Sequence, residues 1–216
     1  MAKWSELYPG QSGHMHISLL DVDEQPVFAS KEDNDIPDQM LFFIGGLQKY
    51  MRELCAMYAP TVNSYNRLCP GAWAPINMTW GVENRTTAFR AILGGPSSQR
   101  IENRLGGADA NPYLALAATL GAGLLGIEEK IKPSKPIEGG AYDIRVPREH
   151  RTPSNLGESA ELFYNSEAAR SLFGDVFVDH FSDTRIWEYN EYKKERKFLE
   201  ADKISTWELS RYFEII

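Results

Sequence analysis

The chain has 216 residues, 43% of them hydrophobic and 25% charged, which suits one globular domain with a sizeable core and excludes a largely disordered polypeptide. A net charge of -7 argues against a nucleic-acid binder, since affinity for the phosphate backbone needs surplus Lys and Arg. Only Cys55 and Cys69 could form a disulfide, so free thiols are expected. The opening residues have no apolar signal region and no run is long enough to span a membrane, so a cytoplasmic protein without a membrane partner is expected.

Glycine-rich residues 10–13 lead into His14–Leu20, whose alternation predicts a strand. Asp38–Ala59 carries apolar residues at Leu41, Ile44, Leu47, Met51, Leu54 and Tyr58 between Pro37 and Pro60, the pattern of a long amphipathic helix. Ile76–Val82 and Arg100–Leu105 are expected as strands. Asn111–Lys130 is expected as a mostly buried helix with Asn111 as its N-cap and Pro112 in its first turn. Residues 132–153 are rich in Pro, Gly and Arg and read as a surface excursion. Three helices should follow at Asn155–Phe173, Asp175–Leu199 and Ser205–Phe213, the last opened by a capping box of Ser205 and Glu208. Alternating strands and helices followed by a helical C-terminal part predict an α+β (α/β) domain.

Side chains along a strand alternate between faces, so His14, His16 and Ser18 share one face of the first strand. An exposed polar face and a metal or phosphate site are both open for two histidines. The preceding Gly10-Gln11-Ser12-Gly13 favours the second, because backbone N–H groups in such a turn can approach an anion closely. The same period places Arg100, Glu102 and Arg104 together. Burying these ions without further partners costs several kcal/mol each, and an Arg–Glu–Arg set alone rarely offsets that. A phosphate or metal would supply the missing partners, and burial decides between that and a solvated edge strand. Arg85 and Arg90 are five apart, so a regular strand would place them on opposite faces and a common site needs a loop or bulge. Gly121-Ala122-Gly123-Leu124-Leu125-Gly126 fits the dinucleotide pattern G-x-G-x-x-G, but it lies inside the expected Asn111–Lys130 helix, without the strand and turn that pattern requires. Close helix packing is its expected use.

Five segments in order, Gly-Gln-Ser-Gly-His-Met-His-Ile-Ser, Asn-Ser-Tyr-Asn-Arg-Leu-Cys-Pro-Gly, Asn-Arg-Thr-Thr-Ala-Phe-Arg, Arg-Ile-Glu-Asn-Arg and Ala-Asn-Pro-Tyr-Leu-Ala, resemble the glutamine synthetase family. The resemblance runs from Gly10 to the closing Trp207-Glu208 and Arg211-Tyr212-Phe213. It implies the C-terminal portion of the catalytic domain, with an antiparallel-rich sheet flanked by helices. The family's N-terminal β-grasp domain and the first part of the catalytic domain, with most of its metal-binding glutamates, would precede residue 1. The chain alone is then expected to be inactive, and the full-length family is homo-oligomeric.

The resemblance also implies roles. His14 and Glu102 match ligands of a divalent metal, Mg²⁺ or Mn²⁺, and His16 and Ser18 match positions that contact ATP. Arg67 matches the arginine that holds the α-carboxylate of glutamate, and Arg104 the one near its γ-carboxylate. Arg85, Arg90 and Arg100 match arginines around the nucleotide phosphates, and Arg85 and Arg104 are the expected catalytic pair. The implied reaction is phosphoryl transfer from ATP to glutamate, then attack of an amine on γ-glutamyl phosphate; the alternative is a non-catalytic structural or nucleotide-binding homologue. The sequence departs from the family at Pro9, where an asparagine that touches glutamate is usual, and at Ser12, where glycine is usual. It departs more sharply at Pro70-Gly71-Ala72-Trp73-Ala74-Pro75, where ammonia-using members carry a glutamate at the position of Trp73. An indole cannot accept a proton, so Trp73 is expected to hold a larger primary amine or polyamine through cation–π contact.

Overall fold

A computed structural model describes residues 1–30, 35–96, 98–196 and 204–214. The strands are β1 (Met15–Ile17), β2 (Trp80–Val82), β3 (Phe89–Ile92) and β4 (Arg100–Asn103). The helices are α1 (Asp38–Tyr50), α2 (Ser64–Arg67), α3 (Pro112–Glu128), α4 (Leu156–Tyr164), α5 (Glu167–Phe173), α6 (Asp175–Arg196) and α7 (Thr206–Tyr212). The sheet order is β1-β4-β3-β2, with β1–β4 and β3–β4 antiparallel and β2–β3 parallel. This is the α+β class expected, antiparallel-rich and helical towards its C-terminal end.

Period-two alternation divides the sheet into two chemically distinct faces. Ile17, Ile101, Ala91 and Phe89 are buried in the main core, and Asn103 on that face donates to Thr119 Oγ1 of α3 at 3.0 Å. Against this face lie α1 and α3, in close mutual contact. A Cβ on Gly46 would lie 2.1 Å from the Ala122 carbonyl oxygen, and one on Gly123 would lie 2.1 Å from the Phe43 ring. The glycines that imitate a dinucleotide motif therefore serve helix packing. Asn111 caps α3 by accepting from the backbone N–H groups of Tyr113 and Leu114, with Pro112 in the first turn.

The strands expected at His14–Leu20 and Ile76–Val82 are confined to Met15–Ile17 and Trp80–Val82, and three further elements differ from expectation. The long helix ends at Tyr50, and the chain continues through turns and a 3-10 segment at Cys55–Met57. Met51, Leu54, Cys55, Ala56, Met57 and Tyr58 are all buried, so the apolar spacing there satisfies a core-bound turn as well as a helix. The Asn155–Phe173 helix breaks into α4 and α5 because Ser166 caps α5, accepting from Ala169 N while its hydroxyl donates to Glu53 Oε2 at 2.6 Å. Strand β3 was not anticipated. Of the expected Asp175–Leu199 helix, residues 197–199 lie outside the described residues. The capping box at Ser205 and Glu208 is present.

Residues 132–153 do run along the surface, but they are tied to β2. Ile137 N donates to Trp80 O at 2.8 Å, and Asn84 Nδ2 donates to the carbonyls of Ile137 and Gly139 at 3.0 and 2.8 Å. The C-terminal helices pack through Phe163, Phe177 and Phe181, with Phe163–Phe181 centroids 5.3 Å apart. Cys55 is a free, buried thiol whose pKa burial pushes up to about 12, and Cys69 is also free. Among the described residues no helix is long and apolar enough to cross a membrane.

Candidate active site

The second face of the sheet is polar because the strand register aligns its charged residues. His16 pairs with Glu102 across β1–β4, and Glu102 pairs with Arg90 across β4–β3. The three side chains form one row. Glu102 is only 4% exposed and Arg104 only 5%, and β4 is an interior strand, so the solvated edge strand is excluded. Glu102 Oε1 accepts from Arg104 Nη1 at 3.0 Å and lies 3.0 Å from His14 Nδ1. Its Oε2 accepts from Arg90 Nη1 at 3.1 Å. Burial by itself would raise the Glu102 pKa, but the Arg90 hydrogen bond and the Arg104 charge outweigh it and hold the carboxyl below its ordinary value.

His14 lies one residue before β1, yet its ring reaches this carboxylate. Burial, followed by the charge of Arg104, lowers its pKa from 6.5 to about 4 despite the opposing pull of Glu102. The imidazole is therefore neutral at pH 7. Its Nε2 is buried without a hydrogen-bond partner, as suits a nitrogen reserved for a metal. Glu102 keeps lone pairs beyond those its arginines use. The two side chains fit as two donors to a divalent cation. No group of three His, Cys, Asp or Glu able to hold a metal occurs among the described residues, so these two do not complete such a site.

The remaining candidates divide into an inner and an outer group. Arg100 Nε donates to His16 Nδ1 at 3.1 Å and its Nη1 to Ser98 O at 2.8 Å, which places it beside the row. Arg85 is exposed on the loop between β2 and β3 and shares a cleft of about 640 Å³ with Arg90, Glu83 and Glu138. Its loop position brings together two arginines that a regular strand would separate. Ser18 is exposed, one residue past the end of β1. Arg67, 2% exposed, donates from Nη1 and Nη2 to the carbonyls of Leu105 and Arg104 at 2.9 and 3.0 Å. Burial lowers its pKa to about 10, so it remains charged at pH 7. Gly10 makes room for it: a Cβ there would lie 2.8 Å from Arg67 Cγ. Trp73 is 66% exposed with a left-handed φ of 55°, and its carbonyl accepts from Arg104 Nη2 at 3.5 Å.

Sequence reasoning assigned no site role to Glu83, which pairs with Arg90, or to Asp109. The buried Asp109 Oδ2 accepts from Thr61 Oγ1 at 2.8 Å and Ser64 Oγ at 2.6 Å beneath α2. An acidic residue in a loop gave no periodic signal. The assembled face carries Arg90, Arg100 and Arg104 against Glu102 and Glu83. It suits anionic ligands such as phosphate and carboxylate despite the acidic chain.

The model of the glutamine synthetase catalytic domain matches residues 1–212. The chain belongs to the glutamine synthetase family. Within the family it is 42% identical, over all of its length and 46% of the other protein, to a glutamate–isopropylamine ligase of a Pseudomonas species. It is 40% identical, over 99% of its length and 43% of the other, to the γ-glutamylethanolamide synthetase GlnA4 of Streptomyces coelicolor. A glutamine synthetase of Thermococcus kodakarensis is 38% identical over 96% of this chain and 48% of its own. The solved structure of apo GmaS without ligand superposes with a TM-score of 0.75 at 28% identity, covering 95% of this chain and 45% of that one. The chain spans about half the length of the curated relatives it matches.

Proposed function

We propose that the chain forms the C-terminal part of the catalytic domain of an ATP-dependent glutamate–amine ligase, which makes γ-glutamyl phosphate and lets a primary amine displace the phosphate. The observation that carries this reading is the buried carboxylate of Glu102, shared by Arg90 and Arg104 beside a neutral, partly unpartnered His14. Phosphoryl transfer needs little covalent chemistry from a protein and depends on positioning and charge stabilisation. Arg85, Arg90 and Arg100 face the nucleotide phosphates in this reading, while His16 and Ser18 contact ATP. Arg104 is assigned to the γ-carboxylate, and Arg67, buried with its Nη1 and Nη2 on the Leu105 and Arg104 carbonyls, takes the α-carboxylate role from the family resemblance. A divalent cation, Mg²⁺ or Mn²⁺, neutralises phosphoryl charge when bound; His14 and Glu102 would supply two of its ligands, with the rest outside this chain. Trp73, whose carbonyl meets Arg104 and whose side chain is exposed, supports an alkylamine or polyamine over ammonia, as do relatives whose names specify isopropylamine and ethanolamide.

The second reading is a nucleotide-binding or structural homologue without turnover, because His14 and Glu102 alone do not complete a metal site. The test is phosphate release from ATP with glutamate plus ammonia, methylamine, ethanolamine or putrescine, in the 216-residue chain and in a version extended upstream at its native locus. Release that requires both glutamate and an amine, in the extended form, is expected. No release in either form would replace the ligase reading with the second one.

A further inference from the structure

The four-residue helix α2 that ends in Arg67 is too short to hold itself in place, because helix nucleation is unfavourable and only tertiary contacts stabilise so short a turn. Residues three apart share a helical face, so Ser64 and Arg67 form one side of the turn and Asn63 and Asn66 another. On the first side Ser64 donates to Asp109, and Arg67 reaches the carbonyls beyond β4. On the second lies Glu208 of α7, a carboxylate with 0% exposure.

Its two oxygens divide their work. Oε2 closes the capping box, accepting from Ser205 N at 2.8 Å and Ser205 Oγ at 2.9 Å. Oε1 accepts from Asn66 Nδ2 at 2.7 Å and Asn63 Nδ2 at 3.1 Å, far from it in sequence. Asn63 cannot turn its amide over, because its Oδ1 accepts from Lys3 N at 2.7 Å while its Nδ2 also donates to Lys3 O at 2.8 Å. A helix cap alone requires neither full burial nor the second oxygen.

We propose that Glu208 is a positioning residue for glutamate binding: from the C-terminal helix it fixes α2, and thereby the guanidinium of Arg67, against the sheet. This rests on the proposed role of Arg67 in holding the α-carboxylate of glutamate. The side chain never touches substrate, and its effect passes through Asn63 and Asn66.

Glu208→Gln separates the two roles. Glutamine is accepted in a capping box, but it then turns a donor towards the fixed donor of Asn63. Ser205→Ala does the reverse, weakening the cap while leaving Oε1 with its asparagines. In whichever form of the protein has ligase activity, Glu208→Gln should raise the KM for glutamate about tenfold and leave the KM for ATP and kcat within about twofold. Ser205→Ala should lower the melting temperature without changing the KM for glutamate. In an Arg67→Ala background, Glu208→Gln should add no further loss. Should Arg67→Ala raise that KM while Glu208→Gln does not, or should Ser205→Ala raise it equally, the positioning role is wrong. Should Arg67→Ala itself leave the KM unchanged, or no form turn over, the assignment of Arg67 fails and the inference with it.

Discussion

A carboxylate that is 4% exposed and meets two guanidinium groups and an imidazole keeps its charge because hydrogen bonds and opposite charge outweigh desolvation. The same surroundings act in the opposite sense on His14, where burial and Arg104 disfavour the imidazolium. The folded-state pKa of about 4 lies below the ordinary 6.5, so between these values the unfolded chain binds more protons than the folded one. The stabilisation is therefore fully present above pH 6.5 and is lost progressively as pH falls towards 4. Its size is on the order of 2 kcal/mol, and urea unfolding across this range should show a slope that His14→Asn flattens. An unchanged slope in the variant would contradict the burial of His14. At this scale the sequence was informative about grouping: alternation alone put Arg100, Glu102 and Arg104 together. It could not show that His16, Glu102 and Arg90 form one row, because that depends on cross-strand register, and β3 was not foreseen as a strand.

Among the elements, glycines set how closely α1 and α3 approach each other. Gly46 and Gly126 meet almost backbone to backbone, a Cβ on Gly46 lying 2.7 Å from Gly126 Cα. Alanine in place of Gly46 would gain about 1 kcal/mol of helix propensity, but it would meet a backbone carbonyl that cannot rotate away. Overpacking wins, and Gly46→Ala should destabilise the fold by about 2 kcal/mol net, read as a lower urea midpoint at unchanged m-value. The α3 cap at Asn111 and the α7 box at Ser205 and Glu208 were legible because capping is local chemistry. The C-terminal end of the first long helix and the break at Ser166 were not. Both depend on tertiary partners, the core around Tyr58 and the Glu53 carboxylate.

For the whole molecule, five ordered motifs pointed to a glutamine synthetase catalytic domain, and the match to residues 1–212 agrees. Burial supplied what the motifs could not, by showing that the charged face belongs to an interior strand. Under the proposed function the departure at Trp73 bears on the choice of amine, since an exposed indole would replace the proton acceptor that the resemblance to ammonia-using members implies. The most direct measurement is a competition in which the extended protein, with ATP and glutamate, receives equimolar ammonia and a small alkylamine or diamine, and the products are separated by mass. The account predicts mainly the γ-glutamyl alkylamide, with Trp73→Glu shifting the product towards glutamine. Glutamine as the dominant product from the unaltered protein would contradict it.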